Sequence, residues 1–193
     1  MRKLVVVVFM LAGITVMAQK VNFGVKAGLN IANYSSTNQP SNLSSRLAYH
    51  VGVLAEVTVS TVFSVQPEIV FSSQGVTNSL GKDEATGKYQ YLNIPLMAKY
   101  YIFKNISVEM GPQIGFLTAA TITAKDAQGK ETDIDVSKAL NTVDAGINFG
   151  LGYKLTNGIN FVARYNLGLT NISKARSTSI KQGVIQLSLG YNF

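Results

Sequence analysis

The sequence ends in Gly183-Val184-Ile185-Gln186-Leu187-Ser188-Leu189-Gly190-Tyr191-Asn192-Phe193, and the rest of the chain is organised around the pattern of this stretch. Every second side chain from Ile185 to Phe193 is apolar, and the residues between them are small or polar. Because successive side chains of a strand point to opposite faces, the alternation predicts a β-strand with one apolar face. Its length matches the ~9–11 residues that a tilted strand needs to cross a bilayer. In a soluble protein the same pattern is typical of a sandwich edge, so the rest of the chain has to decide.

Seven further segments repeat this alternation of apolar residues with polar residues or glycine. They span residues 21–31, 50–59, 63–73, 89–102, 106–118, 143–155 and 159–169. Together with the last segment they predict eight strands, an even number. No second apolar run of helical length follows the first residues of the chain, so a helical membrane protein is not indicated.

The links between these segments alternate in length. Tight links are predicted at residues 60–62, 103–105 and 156–158, and long polar links at 33–49, 76–88, 119–142 and 171–181. Short turns at one end and long loops at the other are typical of an outer-membrane up-and-down barrel. This arrangement places both chain ends on the periplasmic side.

The two faces of the strands differ in a way that favours a membrane barrel over a soluble one. The polar face is crowded with glycine, which suits the narrow lumen of an eight-stranded barrel, whereas a lipocalin-like soluble barrel turns its apolar face inward. The apolar face carries aromatic residues near the strand ends, as an interfacial girdle does. The periplasmic girdle is predicted at Tyr100, Phe103, Tyr153, Tyr191 and Phe193, and the outer one at Phe71 and Phe116. We therefore predict an all-β, eight-stranded antiparallel transmembrane barrel, with a soluble β-barrel as the alternative.

Six charged residues fall on the inward-facing phase, in the half of the barrel nearest the tight turns. They are Lys26, Glu56, Glu68, Lys99, Glu109 and Arg164, three bases and three acids. Strand adjacency predicts Lys26 beside Glu56 and Lys99 between Glu68 and Glu109, while Arg164 reaches across the lumen. Because an unpaired buried charge costs several kcal/mol, we expect these residues to form a balanced polar network that plugs the barrel.

The first residues have the layout of a secretory signal peptide. A positive start at Arg2 and Lys3 precedes an apolar run, and small residues end at Ala18, where cleavage is expected. The run is too short for a transmembrane anchor. We predict a signal peptide at 1–18 and a barrel domain at 19–193. The sequence contains no cysteine, which excludes disulfides, thiolate metal sites and lipid attachment through cysteine.

The sequence offers little that indicates chemistry. Its single histidine, His50, has only Asp144 as an ionisable neighbour at the predicted height, and one such pair is not a catalytic site. The acids Asp126, Glu131, Asp133 and Asp135 alternate with lysines and lack the spacing of a calcium loop, so a solvated loop is expected. Lys and Arg are scattered despite a formal net charge of +7, which does not indicate nucleic-acid binding. No catalytic residues, metal ligands or cofactor are predicted.

The chain resembles the PorT-like family of small outer-membrane barrels of Bacteroidota over residues 20–193. The resemblance lies in residues 91–100 (YLNIPLMAKY), 111–116 (GPQIGF), 146–153 (GINFGLGY) and 163–169 (ARYNLGL), which are similar to that family's fourth to seventh strands. It implies an integral outer-membrane barrel. No motif identifies the family member that takes part in protein secretion.

The sequence therefore predicts an outer-membrane barrel of structural or interaction type, with outer-membrane lipid as its surroundings. A narrow channel for small solutes or ions and an accessory component of a secretion machine remain as alternatives. Lys174, Arg176 and Lys181 in the last long loop are candidate contacts for lipopolysaccharide phosphates. Tyr191 and Phe193 are candidates for the terminal signal read by barrel-insertion machinery. The extracellular loops are candidates for contact with an unidentified protein partner.

Overall fold

A computed structural model of the protein describes residues 20–36, 43–80, 83–125, 130–174 and 180–193, so the predicted signal peptide lies outside the described residues. The described chain is nearly all β-strand, apart from one 3₁₀ turn at Ser137–Ala139. The strands are β1 (Val21–Ser36), β2 (Leu43–Thr58), β3 (Phe63–Leu80), β4 (Asp83–Phe103), β5 (Ile106–Lys125), β6 (Glu131–Asp135), β7 (Val143–Lys154), β8 (Ile159–Gly168) and β9 (Ile180–Asn192).

Eight of these strands close into a ring of antiparallel pairs. The order runs β4-β3-β2-β1-β9-β8-β7-β5, and a further pairing between β4 and β5 closes the circle. The first and last strands of the barrel pair directly, with Val25 opposite Tyr191. The prediction of an eight-stranded antiparallel barrel is confirmed. The short β6 stands outside the ring and pairs with β5.

Burial is inverted relative to a water-soluble protein. Along β9, Leu187 and Leu189 are 50% and 54% exposed, whereas Gln186 and Ser188, which alternate with them, are buried. The same holds around the ring, and Asn30, Ser72 and Asn148 on the inner face are completely buried. An apolar outer wall around a polar interior is the arrangement of a barrel whose outside meets lipid.

Tight turns join the strands at one end of the ring. The link from β4 to β5 is Lys104-Asn105, and β7 joins β8 through residues 155–158. Gly158 has φ of +90°, a left-handed conformation that glycine adopts without strain. A Cβ at this position would lie 2.5 Å from the backbone oxygen of Asn192, so the turn also needs glycine for space.

The opposite end differs from the prediction of long loops, because strands continue far beyond the ring. β3 and β4 remain in register as far as Leu80 opposite Asp83, so most of the predicted loop 76–88 is a paired hairpin. β5 extends to Lys125 and pairs with β6 inside the predicted loop 119–142. In the sequence, residues 76–80 (VTNSL) and 83–88 (DEATGK) no longer alternate between apolar and polar side chains, so the pattern that predicts the barrel strands is absent here. The remaining signal is the strand propensity of residues such as Thr121 and Thr123.

Aromatic side chains ring the outer wall near the tight turns. The residues predicted for this girdle are all exposed, from Tyr191 at 43% to Phe193 at 73%. Toward the other end, Phe116 is 39% exposed, and the Phe71 ring lies 6.5 Å from that of Tyr49, which the sequence does not single out. The described helical segments include none with the length and apolar character needed to span a membrane.

Candidate functional site: the polar network in the lumen

The barrel encloses all six charged side chains that the sequence placed on the inner face. None of them is more than 5% exposed. They come from β1, β2, β3, β4, β5 and β8. These side chains point into the lumen because successive residues of a strand face opposite sides, and the six charged residues alternate with the apolar residues of the outer wall.

Glu68 on β3 is the centre of this network. Lys26 Nζ lies 2.5 Å from Glu68 Oε2. The Arg164 guanidinium approaches from the far side, with Nη1 3.0 Å from Oε2 and Nη2 2.9 Å from Oε1. Gln66 Nε2 also donates to Oε1 at 2.7 Å. One carboxylate therefore connects β1, β3 and β8 across the lumen through charge-assisted hydrogen bonds.

Glu109 and Lys99 extend the network toward β4 and β5. Arg164 Nη2 lies 3.4 Å from Glu109 Oε2, so one guanidinium faces two carboxylates. Lys99 Nζ donates to Gln66 Oε1 at 3.1 Å and lies 5.8 Å from the centroid of the Tyr101 ring. Lys99 is thus joined to Glu68 through Gln66.

One of the predicted pairings is wrong, and another holds only in part. Lys26 does not lie beside Glu56, because it is opposite Gly52, four residues from Glu56 along β2, a separation of about 13 Å. Its partner Glu68 lies one strand farther on. Lys99 stands opposite Glu109 in the ladder, yet its hydrogen-bond partner is Gln66. These contacts depend on the tilt of the strands and on the length of the side chains. The order of the strands along the sequence does not predict them.

A second acidic centre lies nearer the tight turns. Glu56 Oε2 accepts hydrogen bonds from Lys154 Nζ at 2.7 Å and from Asn192 Nδ2 at 2.8 Å, while Oε1 accepts one from the Tyr101 hydroxyl. Asn160 Nδ2 donates to Asn192 Oδ1 at 2.8 Å. Sequence reasoning missed Lys154 and Tyr101 as members of the network. Their shared phase with the other inward residues was the available signal.

His50 is part of a third layer, and its hydrogen-bond partners are the uncharged side chains of Asn30 and Ser188. His50 Nδ1 lies 2.8 Å from Asn30 Oδ1, and Nε2 lies 2.8 Å from Ser188 Oγ. The ring therefore donates to Asn30 and accepts from Ser188. Gly28 on β1 is opposite His50 in the ladder with β2 and opposite Ser188 in the ladder with β9. Because glycine has no side chain, it leaves room for the imidazole ring between the two strands.

The Ser188, His50 and Asn30 side chains follow the order of nucleophile, base and orienting group found in hydrolases, but the surroundings do not suit that chemistry. His50 is 1% exposed and Ser188 8% exposed. β1 is paired with β2 on one side and with β9 on the other, so its backbone amides next to the ring are used in the ladders and are not available to stabilise an oxyanion. The arrangement is a structural cross-link inside the barrel.

The remaining sequence candidates lie apart from this network. Asp144 accepts hydrogen bonds from Thr170 and Gln182 and does not contact His50. Lys174 is exposed and donates to the Lys138 backbone oxygen at 2.9 Å, and Lys181 is exposed on β9, while Arg176 lies outside the described residues. Within the described ranges, His, Asp and Glu side chains form no cluster of three that would hold a metal ion.

The acids of the predicted fifth loop are engaged separately. Asp133 accepts from the Thr123 hydroxyl at 2.7 Å, and Asp135 accepts from the Ser137 backbone N–H at 2.8 Å. Glu131 lies 3.9 Å from Lys125 on the surface. Asp126 lies outside the described residues. These contacts stabilise β6 and the turn that follows it.

Comparison with known proteins bears on the identity of the barrel. Residues 17–174 match the family described as outer membrane protein beta-barrel domain. The chain belongs to that family. Together with the inverted burial, the match makes this protein an integral outer-membrane barrel. No curated protein shows significant sequence similarity to it.

Solved outer-membrane barrels share the fold of this family member. Neisserial surface protein A (NspA) is 12% identical, with a TM-score of 0.56, and the alignment covers 90% of this chain and 99% of that one. Ail, the attachment invasion locus protein of Yersinia pestis, solved with the heparin analogue sucrose octasulfate, is 12% identical with a TM-score of 0.53 and the same coverage. A major outer membrane protein from Thermus thermophilus is 13% identical with a TM-score of 0.51, covering 90% and 99%. At such identities the likeness establishes the fold alone.

Proposed function

We propose that this protein is a non-conducting outer-membrane barrel of structural or interaction type, whose lumen is closed by its polar network. The observation that carries the proposal is Glu68, held by Lys26 from one side and by Arg164 from the other. The side chains of these three residues are at most 4% exposed. A cross-link of this kind obstructs the middle of a narrow lumen.

Further layers support closure along the length of the barrel. Glu56 binds side chains of β4, β7 and β9 near the tight turns, and His50 joins β1 to β9 in the other half. Eight strands leave an interior just wide enough for side chains to fill it. Closed ionic and amide layers therefore favour a plugged barrel over a narrow channel for solutes or ions.

Conductance of the purified protein in planar bilayers tests this proposal. The folded protein, identified by its heat-modifiable gel mobility, is expected to insert without producing stepwise current. Stepwise current from the unmodified barrel contradicts the proposal and supports the narrow channel instead. A denatured sample that fails to insert serves as the control for contaminating pores.

Within the family, we propose that the chain is of the PorT-like type found in Bacteroidota. Support comes from the strand pattern Ile94-Pro95-Leu96 and Lys99-Tyr100, in which Lys99 belongs to the lumen network and Tyr100 to the outer girdle. The pattern thus carries both a luminal charge and an interfacial aromatic. An alignment of PorT-like barrels that lacks this pattern in the fourth strand contradicts the assignment.

We also propose that Lys174 and Lys181 contact lipopolysaccharide phosphates, together with the sequence candidate Arg176. The first two are exposed beyond the outer end of the ring, and Lys138 lies next to Lys174. Lysine binds phosphate as a point charge. Replacing Lys174 and Lys181 by Gln should weaken binding of lipopolysaccharide to the refolded barrel, whereas Lys104→Gln at the opposite end should not. Equal binding by both variants contradicts the proposal.

The terminal aromatic residues are proposed as the signal for barrel-insertion machinery. Tyr191 and Phe193 pack edge to face on the outer wall, with ring centroids 5.4 Å apart at an interplanar angle of 79°. The Phe193 backbone N–H donates to the Phe23 oxygen at 2.8 Å, which fixes the chain end on β1. Phe193 is 73% exposed, so its ring is available for recognition.

A further inference from the structure

Asp144, near the outer end of β7, differs from the acids of the lumen network. It is only 3% exposed. Its two carboxylate oxygens accept hydrogen bonds from the Thr170 hydroxyl and from Gln182 Nε2, which are both neutral. The buried acids Glu56, Glu68 and Glu109 each have a Lys or Arg partner, whereas no basic side chain of the described residues forms an ion pair with Asp144. A buried carboxylate without a counter-charge is strongly unfavourable.

Three buried oxygen atoms without hydrogen-bond partners belong to side chains that lie against Asp144, Gly146 or Gly115. They are the Tyr91 hydroxyl, Gln182 Oε1 and Asn166 Oδ1, and all three residues are at most 3% exposed. Tyr91 is directed to the site because Gly115, opposite Asp144 in the ladder, has no side chain, and the Tyr91 ring lies 3.6 Å from where its Cβ would be. The Tyr91 hydroxyl interacts electrostatically with Asp144.

Two more glycines bring the amide side chains to the same place. Gly146 follows Asp144 by one inward position, and a Cβ there would lie 3.4 Å from Asn166 Oδ1. Gly168 pairs with Gly146 and leaves room for Gln182, whose Cγ would be 2.9 Å from its Cβ. The site therefore combines one carboxylate with uncharged oxygen atoms, from side chains of β4, β8 and β9, that could bind a cation.

An apolar cluster, the Ile172 cover, follows the two hydrogen-bond partners of Asp144 in the sequence, since Ile172 comes two positions after Thr170 and Val184 two after Gln182. Ile172 is 3% exposed and packs with Ala32 and Val184, against Val76, Tyr89 and Ile180. Its loop is fixed by hydrogen bonds from the Asn141 N–H to the Ile172 oxygen at 2.9 Å and from the Ile172 N–H to the Ile180 oxygen at 3.0 Å. Because Asp144 itself is 3% exposed, a ligand bound to it is shielded from bulk water.

We propose that Asp144, Tyr91, Gln182 and Thr170 bind a monovalent alkali-metal ion, Na⁺, beneath the Ile172 cover. Carboxylate, amide and hydroxyl oxygens are the donors that hard cations prefer. One negative charge matches one positive charge, while a divalent ion leaves a net charge in a buried site. On binding, the Gln182 amide turns its Oε1 toward the ion.

Thermal unfolding of the refolded barrel tests the site. The protein is prepared in a zwitterionic detergent without lipopolysaccharide, and its unfolding midpoint is measured in NaCl, KCl, LiCl and choline chloride at equal ionic strength. A ligand that binds only the folded state raises the midpoint in a saturable way. We expect such a rise in NaCl relative to choline chloride, and its loss in Asp144→Asn. The surface variant Glu131→Gln serves as the matched control and should respond as the unmodified protein does.

Several outcomes overturn the proposal. Equal midpoints of the unmodified protein in NaCl and choline chloride show that no alkali-metal ion binds, and this result does not depend on any variant. A Na⁺ response that persists in Asp144→Asn places the ion elsewhere, and a larger saturable response to CaCl₂ contradicts the monovalent assignment. If Asp144→Asn does not fold, Tyr91→Phe removes one donor and should raise the half-saturating Na⁺ concentration. Broadening of the ²³Na resonance by the folded protein, and its absence with the unfolded chain, gives an independent readout.

Discussion

Replacing Arg164 by Ala tests the central feature of the lumen. The substitution leaves Glu68 with Lys26 and Gln66, but it removes the one ion-pair partner that Glu109 has among the described residues. Neither carboxylate oxygen of Glu109 has a hydrogen bond among the described residues, so this acid is left buried and uncompensated. Breaking a buried pair by removing one partner costs about 3–5 kcal/mol.

We therefore expect Arg164→Ala to lower the free energy of unfolding by about 3–5 kcal/mol at pH 7.

Urea unfolding in detergent micelles measures this difference. The chain contains no tryptophan, so circular dichroism and heat-modifiable gel mobility report the folded fraction. With a typical slope of about 2 kcal/mol per molar urea, the midpoint should fall by roughly 2 M at pH 7. The control is Lys125→Ala, which removes the exposed ion pair between Lys125 and Glu131, 3.9 Å apart. It should lower the free energy of unfolding by less than about 0.5 kcal/mol. A loss below about 1 kcal/mol at pH 7 refutes the reasoning.

Three further outcomes are expected. Gly158→Ala should destabilise the barrel by about 1–2 kcal/mol, because alanine is strained at a φ of +90°, and an unchanged urea midpoint contradicts this. Deleting Phe193 should reduce the amount of protein in the outer membrane while refolding in detergent proceeds normally; an equal loss in both assays points to simple destabilisation. Mass spectrometry of the membrane-embedded protein should find Gln19 or its cyclised form at the N-terminus, and an intact Met1 contradicts cleavage after Ala18.

The fold followed from the sequence because a membrane barrel repeats one simple rule. Each strand has to present an apolar face to lipid, so the alternation in residues 183–193 recurs around the ring. That constraint also identified which charged residues face inward, including Arg164 and Glu68. Outside the bilayer the rule no longer applies, and β6 and the long β3–β4 hairpin were missed.

The contacts inside the lumen were less predictable than the positions of the residues. A long side chain reaches residues of several strands, so Lys26 selects Glu68 over a residue of the adjacent strand. The His50 layer was missed for a related reason, since Asn30, Ser188 and His50 belong to different strands and none is unusual by itself. Gly28, an inward glycine flanked in the ladder by two polar residues, was the available clue.

The bond between Glu68 and Arg164 has a consequence for the order of assembly. It joins residues 96 positions apart, on β3 and β8, so it forms only once β8 has taken its place across the lumen from β3. Until then, Glu68 has only Lys26 and Gln66 as partners and Glu109 lacks Arg164, so these carboxylates have to remain in contact with water. The growing barrel must therefore stay open and hydrated on its inner side, and expulsion of water marks the arrival of the last two strands. Closure of the wall and closure of the pore are then a single late event.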